Sequence, residues 1–150
     1  MGSHYQGPAA QVRALDVFIK LTRAAKSVSS RLGKGLARAG LTESQFGVLE
    51  ALVHLGPLCQ RALGEKLLSS GANVTTVVDN LEKRGLVGRA REGSDRRFVT
   101  VRLTDPGRAL VLEALPAHVA EIVKAFAGLT AAEQEQLDAL CKKLGKHAAL

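Results

Sequence analysis

The chain has 150 residues, enough for one domain with a real hydrophobic core, and its 46% hydrophobic and 23% charged residues exclude a disordered polymer. Twenty-one Lys and Arg against 14 Asp and Glu leave a formal charge of +7, which points to a polyanionic partner. The few aromatic residues (Tyr5, Phe18, Phe46, Phe98 and Phe126, with no Trp) are scattered, which disfavours modules that stack unpaired bases and leaves duplex DNA as the better-matched polyanion.

The charge is not spread evenly. Residues 1–40 carry net +6, 41–81 carry −2, 82–108 carry +4 and 109–150 carry −1. No apolar run is long enough for a membrane span and no apolar segment marks a signal peptide, so a cytoplasmic protein without membrane attachment is expected. Cys59 and Cys141 stand 82 residues apart, without metal-ligand spacing to each other or to the four His; both are read as small apolar side chains in a reducing compartment, with redox sensing through either one as the alternative. Neither a metal site nor a cofactor is expected.

In chain order, the spacing of Val12, Leu15, Phe18/Ile19, Thr22, Ala25, Ser29, Leu32 and Leu36 predicts a long helix over residues 10–38, with Lys20, Arg23, Arg31, Lys34 and Arg38 on the opposite stripe. Thr42-Glu43-Ser44-Gln45 is a capping box opening a second helix through Phe46, Leu49, Leu52 and Val53, and Gly56-Pro57 stops it. Leu58-Cys59 fits a short extended piece. A short helix over Arg61–Leu68 is followed by Ser69-Ser70, where Ser70 can cap a helix Gly71–Arg84 that buries Val74, Val77, Val78 and Leu81. Gly85 supplies its left-handed terminus.

Leu86–Arg91 and Arg97–Leu103 alternate as strands around a Gly/Ser/Asp-rich turn, which makes a hairpin. Thr104-Asp105-Pro106 opens a further helix, in which Pro116 should introduce a kink, and Thr130-Ala131-Ala132-Glu133 is a second capping box before the last helix, with Leu137, Leu140/Cys141 and Leu144 on one stripe. The expected fold is mainly α with a small β-hairpin: a winged helix-turn-helix over residues 41–104, flanked by helices at 10–38 and 105–146 that serve dimerisation.

A helix of this kind fits the major groove, and a basic hairpin beside it can reach phosphates or a narrow minor groove. The face of Gly71–Arg84 opposite its apolar stripe carries Ala72, Thr76, Asp79, Asn80 and Lys83, flanked by Asn73 and Thr75. Asn can donate and accept at adenine, and Thr offers a hydroxyl and a methyl for thymine. The hairpin crowds Arg89, Arg91, Arg96, Arg97 and Arg102, a density that is unfavourable unless anions neutralise it. The expected DNA contacts are therefore Ser70, Asn73, Thr75 and Thr76 in the major groove and Arg96 and Arg97 on the wing, with Asp95 orienting a guanidinium. No G-x-S-x-G, H-E-x-x-H or P-loop pattern supports an enzyme. A helical partner-binding module that has lost DNA binding is the other non-enzymatic alternative.

Leu63-Gly64-Glu65-Lys66-Leu67, the run from Asn73 to Val87, Asp95-Arg96-Arg97 and Leu103 to Arg108 resemble the MarR (multiple antibiotic resistance regulator) family, over residues ~10–146. The resemblance implies a homodimeric winged-helix regulator, a repressor or an activator, whose first and last two helices form the dimer interface. It implies that Gly71–Arg84 enters the major groove of a pseudo-palindromic double-stranded operator and that Arg97 inserts into the minor groove. It also implies release of DNA by a small phenolic or carboxylate effector bound between the dimer helices and the winged domain. Gly71 and Asn80 depart from the larger residue and the Arg common at those positions, and the first helix lacks the cysteine of the peroxide-sensing members.

Overall fold

The computed structural model describes residues 4–67, 71–91 and 99–148. The order is α1 (Ala9–Arg38), α2 (Glu43–Leu55), β1 (Leu58–Cys59), α3 (Gln60–Leu67), α4 (Gly71–Lys83), β2 (Val87–Arg91), β3 (Val99–Leu103), α5 (Asp105–Phe126) and α6 (Ala131–Ala148). This is the expected winged helix-turn-helix between long helices. The predicted Ser70 cap, the wing tip with Asp95 and Arg96, and Arg97 lie outside the described residues.

Local chemistry explains the boundaries. Thr42 Oγ1 accepts the Gln45 N–H at 3.2 Å while Gln45 Oε1 accepts the Thr42 N–H at 3.0 Å, so the capping box starts α2 reciprocally. Thr130 and Glu133 do the same for α6, at 3.3 Å and 2.8 Å. Gly40, Gly56 and Gly85 have φ of 68°, 77° and 69°, and each turns the chain directly after a helix. The single helix α5 continues across Pro116.

β3 is the central strand, with β1 and β2 antiparallel on either side; Cys59 faces Thr100, and Val87 faces Leu103. The core lies where this sheet meets α2, α3 and α4: Leu49, Leu52, Leu63, Val74, Val78, Leu81, Val87 and Val101 are fully buried. Leu36 of α1 and Val111 and Ala114 of α5 join the same cluster, so the winged unit is seated directly on the long helices.

The long helices are less covered than their periodicity predicts. Leu36 is the only buried residue of α1, Phe18 is 63% exposed, and α6 has no buried residue. Val17 and Leu21 of α1, Val119 and Val123 of α5, and Leu140 and Leu144 of α6 are exposed too. Their stripes have the pattern of buried faces, but this chain alone does not cover them.

Candidate nucleic-acid interface

The helix-turn-helix is built from two short helices that pack on each other, with Leu63 of α3 and Val74, Val77 and Val78 of α4 buried in one core cluster. Burial of those valines turns Asn73, Thr75, Thr76, Asn80 and Lys83 to the surface. The three expected DNA contacts of the described part are thus all exposed, Thr76 on the outer face and Asn73 and Thr75 on its two flanks. Gln60, the first residue of α3, reaches this face: its Nε2 donates to Thr75 Oγ1 at 3.1 Å.

The wing corrects the charge argument at one position. Arg89, counted among hairpin arginines awaiting an external anion, is already neutralised from within. Its guanidinium donates to Asp79 Oδ1 at 2.5 Å and to a carboxylate oxygen of Glu82, while its backbone N–H donates to Glu82 Oε1 at 3.2 Å. Burial would lower the Arg89 pKa, but the hydrogen bonds and charges of Asp79 and Glu82 outweigh it and raise the value further above its usual one. Asp79 is accordingly half-buried and paired with Arg89, the more buried partner of the two. Two carboxylates that would repel phosphates are screened, and the base of β2 is clamped to α4.

The same end of α4 is also tied to the long helices. Arg84 Nη1 donates to the Gly40 carbonyl at 2.9 Å, in the turn between α1 and α2. Thr104 Oγ1 donates to the Gly85 carbonyl at 2.7 Å and accepts the Gly107 N–H at 3.1 Å, joining the end of α4 to the start of α5. Sequence reasoning did not identify Arg84 as a strut, because its partner is 44 residues away.

A cleft of about 510 Å³ opens between α1 and α5, floored by Leu32, Leu36, Leu110, Ala114 and Ala117, with Arg38, Glu113, His118, Glu121 and Lys124 also lining it. At its edge Glu121 pairs with Lys124 at 2.9 Å and Arg31 at 3.4 Å; the hydrogen bond from Lys124, above all, holds its carboxyl below the usual glutamate range. A neighbouring opening of about 380 Å³ reaches α2, and His118 lines both. Its ring lies 4.4 Å from the Phe46 ring, and its Nδ1 is buried without a hydrogen-bond partner among the described residues. This cleft is an assembly of residues far apart in the chain, which only the fold brings together.

Among the described residues no group of His, Cys, Asp or Glu is placed to hold a metal ion, and no helix is long and apolar enough to cross a membrane. Both cysteines are free thiols. Cys59 is half-buried, with its Sγ accepting the Ala62 N–H at 3.5 Å, and Cys141 is exposed on α6.

Comparison with known proteins agrees with this geometry. A family model described as "MarR family" matches residues 39–97. The uncharacterized HTH-type transcriptional regulator YkoM of Bacillus subtilis is 38% identical over 135 residues, covering 90% of this chain and 88% of that protein. The solved structure of BpsR from Bordetella bronchiseptica, described in terms of regulation of its DNA binding by 6-hydroxynicotinic acid, is 31% identical with a TM-score of 0.80, covering 86% of this chain and 98% of BpsR. Sco3205 of Streptomyces coelicolor, a MarR family transcriptional regulator solved in complex with DNA, is 25% identical with a TM-score of 0.85, covering 97% and 92% of the two chains.

Proposed function

The chain belongs to the MarR family of DNA-binding transcription regulators and is not an enzyme; from that premise we propose that it acts as a homodimeric repressor of a pseudo-palindromic operator, released by a small phenolic or carboxylate effector. The observation that carries this reading is the exposed polar face of α4, with Asn73, Thr75 and Thr76 projecting from a helix whose opposite face is locked into the core. In the major groove this face meets base edges. Ser70 adds a hydroxyl at the start of α4, and the wing tip brings Arg97 into the minor groove, with Arg96 on phosphate and Asp95 orienting a guanidinium.

Dimerisation follows from the uncovered apolar side chains of α1, α5 and α6. Phe18, Val123, Leu140 and Leu144 are each about half exposed or more, and a second copy of the chain covers such faces symmetrically. Residues 10–38 and 105–146 then form the dimer unit, and residues 41–104 the reading unit. BpsR and its 6-hydroxynicotinic acid supply the precedent for the effector. In this chain the α1–α5 cleft offers an apolar floor for a small ring, the Arg38 guanidinium for a carboxylate and the His118 imidazole for a phenol. Arg84 links the turn that ends α1 to α4, so a change in the cleft is passed to the reading helix. A protein that regulates transcription in this way works in the cytoplasm.

The test is analytical ultracentrifugation with and without a bound duplex. The protein alone should sediment at twice its chain mass of 15.8 kDa, and two chains should occupy each duplex. Titration with hydroxylated aromatic acids should then dissociate DNA from the wild type but not from Arg38→Ala. A monomer that binds duplex one chain at a time would reject the reading.

A further inference from the structure

We propose that Gln60 is a positioning residue for base recognition: it fixes the rotamer with which Thr75 faces the DNA. This rests on α4 being the element that reads the duplex. The residue before Gln60 is anchored on both sides. Cys59 pairs with Thr100 of the wing sheet, and the Cys59 sulfur accepts the Ala62 N–H in the first turn of α3. From this anchored position the Gln60 amide crosses to the next helix and donates to Thr75 Oγ1 at 3.1 Å.

The chemistry of threonine makes the bond consequential. A helical Thr divides between two side-chain rotamers, unlike Val or Ile, which keep one. The rotamer decides whether the hydroxyl or the methyl is offered outward, and the two read different base edges: the hydroxyl a polar atom, the methyl the 5-methyl group of thymine. A donor fixed on the α3 side holds Oγ1 towards α3 and selects one rotamer. Thr75 is exposed and Gln60 half-buried, so water competes for the bond in the free protein and its contribution to folding is small. In a groove from which water is displaced, the same bond acts on recognition instead. Gln60 thus tunes what Thr75 reads rather than how stable the domain is.

The experiment is selection from random duplex DNA by the full chain, in the wild type, Gln60→Ala, Thr75→Val and the double variant, with thermal melts and the salt dependence of affinity measured in parallel. Gln60→Ala should melt like the wild type and bind random duplex with the same affinity and salt slope. It should lose about tenfold discrimination at one or two base pairs of each half-site, and in the Thr75→Val background it should change nothing more. Should Gln60→Ala fail to fold, Gln60→Met keeps the chain length without the amide and reads the same change. Unaltered discrimination, an equal loss on selected and random duplexes, or additive effects of the two substitutions would overturn the proposal. If the wild type enriches no sequence, the reading by α4 fails at that step and the role of Gln60 falls with it. A wild-type preference shared by Gln60→Ala removes only the role of Gln60.

Discussion

Arg89 gathers Asp79 and Glu82, and the pairing gives this one side chain two tasks: it ties β2 to α4 and removes two negative charges from the side of α4 beside the wing. The cluster is only partly shielded, with 23% of the Arg89 side chain exposed, so its contribution to stability is modest. Arg89→Ala should cost about 1 kcal/mol of stability in urea unfolding and weaken duplex binding further, because the freed carboxylates face phosphates. Unchanged duplex affinity would show that the charges are not near the DNA. Arg97→Ala, by contrast, should leave unfolding unchanged and weaken operator binding by about 1–3 kcal/mol at fixed salt. Gly107 belongs to the same scale. It is buried, and a Cβ there would stand 1.9 Å from the Leu86 carbonyl oxygen, which is backbone and cannot swing aside. Gly107→Ala should therefore lower stability by about 3 kcal/mol, visible as a shifted urea midpoint, and a variant as stable as the parent would contradict this packing. The need for glycine here could not be read from the sequence, since Leu86 lies 21 residues earlier.

At the scale of elements, what could be read in advance follows from how local its cause is. Thr42 with Gln45 and Thr130 with Glu133 announce their helices within four residues, and the structure starts α2 and α6 directly after those threonines. The valine spacing of α4 likewise gave its buried face, and with it Thr76 on the outer face with Asn73 and Thr75 at its flanks. The partners of that face were not legible. Gln60 and Thr75 are 15 residues apart, and Arg84 and Gly40 are 44, so only the folded chain brings them together. The same holds for the cleft, whose walls come from α1 and α5. The charge of the hairpin was legible as a sum, but not the internal pairing of Arg89 with Asp79 and Glu82. The α6 cap also yields a pH prediction. Hydrogen bonds from Thr130 hold the Glu133 carboxyl below its usual value. Its stabilisation is thus complete above the ordinary glutamate pKa, about 4.3, and is lost as the pH falls through the lower folded value. Hydrogen exchange at the Thr130 amide should lose protection on acidification in the wild type, and Glu133→Gln should abolish that dependence. Equal pH dependence in both would exclude the carboxylate as its source.

For the whole molecule, the +7 charge and the uncovered apolar stripes describe two different surfaces. The segment with the helix-turn-helix, residues 41–81, is net negative, and the positive charge flanks it in residues 1–40 and 82–108. In the proposed complex, positioning on phosphates and discrimination between bases therefore fall to different parts of the chain. In the proposed dimer the apolar stripes of α1, α5 and α6 face the second copy, and Leu140→Asp with Leu144→Asp should give a monomer that keeps its helicity but loses most of its operator affinity. A dimer in that variant would place the interface elsewhere. The central claim, sequence-specific reading by two copies of α4, is tested most directly by selection of bound sequences from random duplex DNA. Enrichment of a pseudo-palindrome whose half-sites are about 10–10.5 base pairs apart, centre to centre, is the expected result. Recovery of unrelated sequences, bound no better than the starting pool, would contradict it.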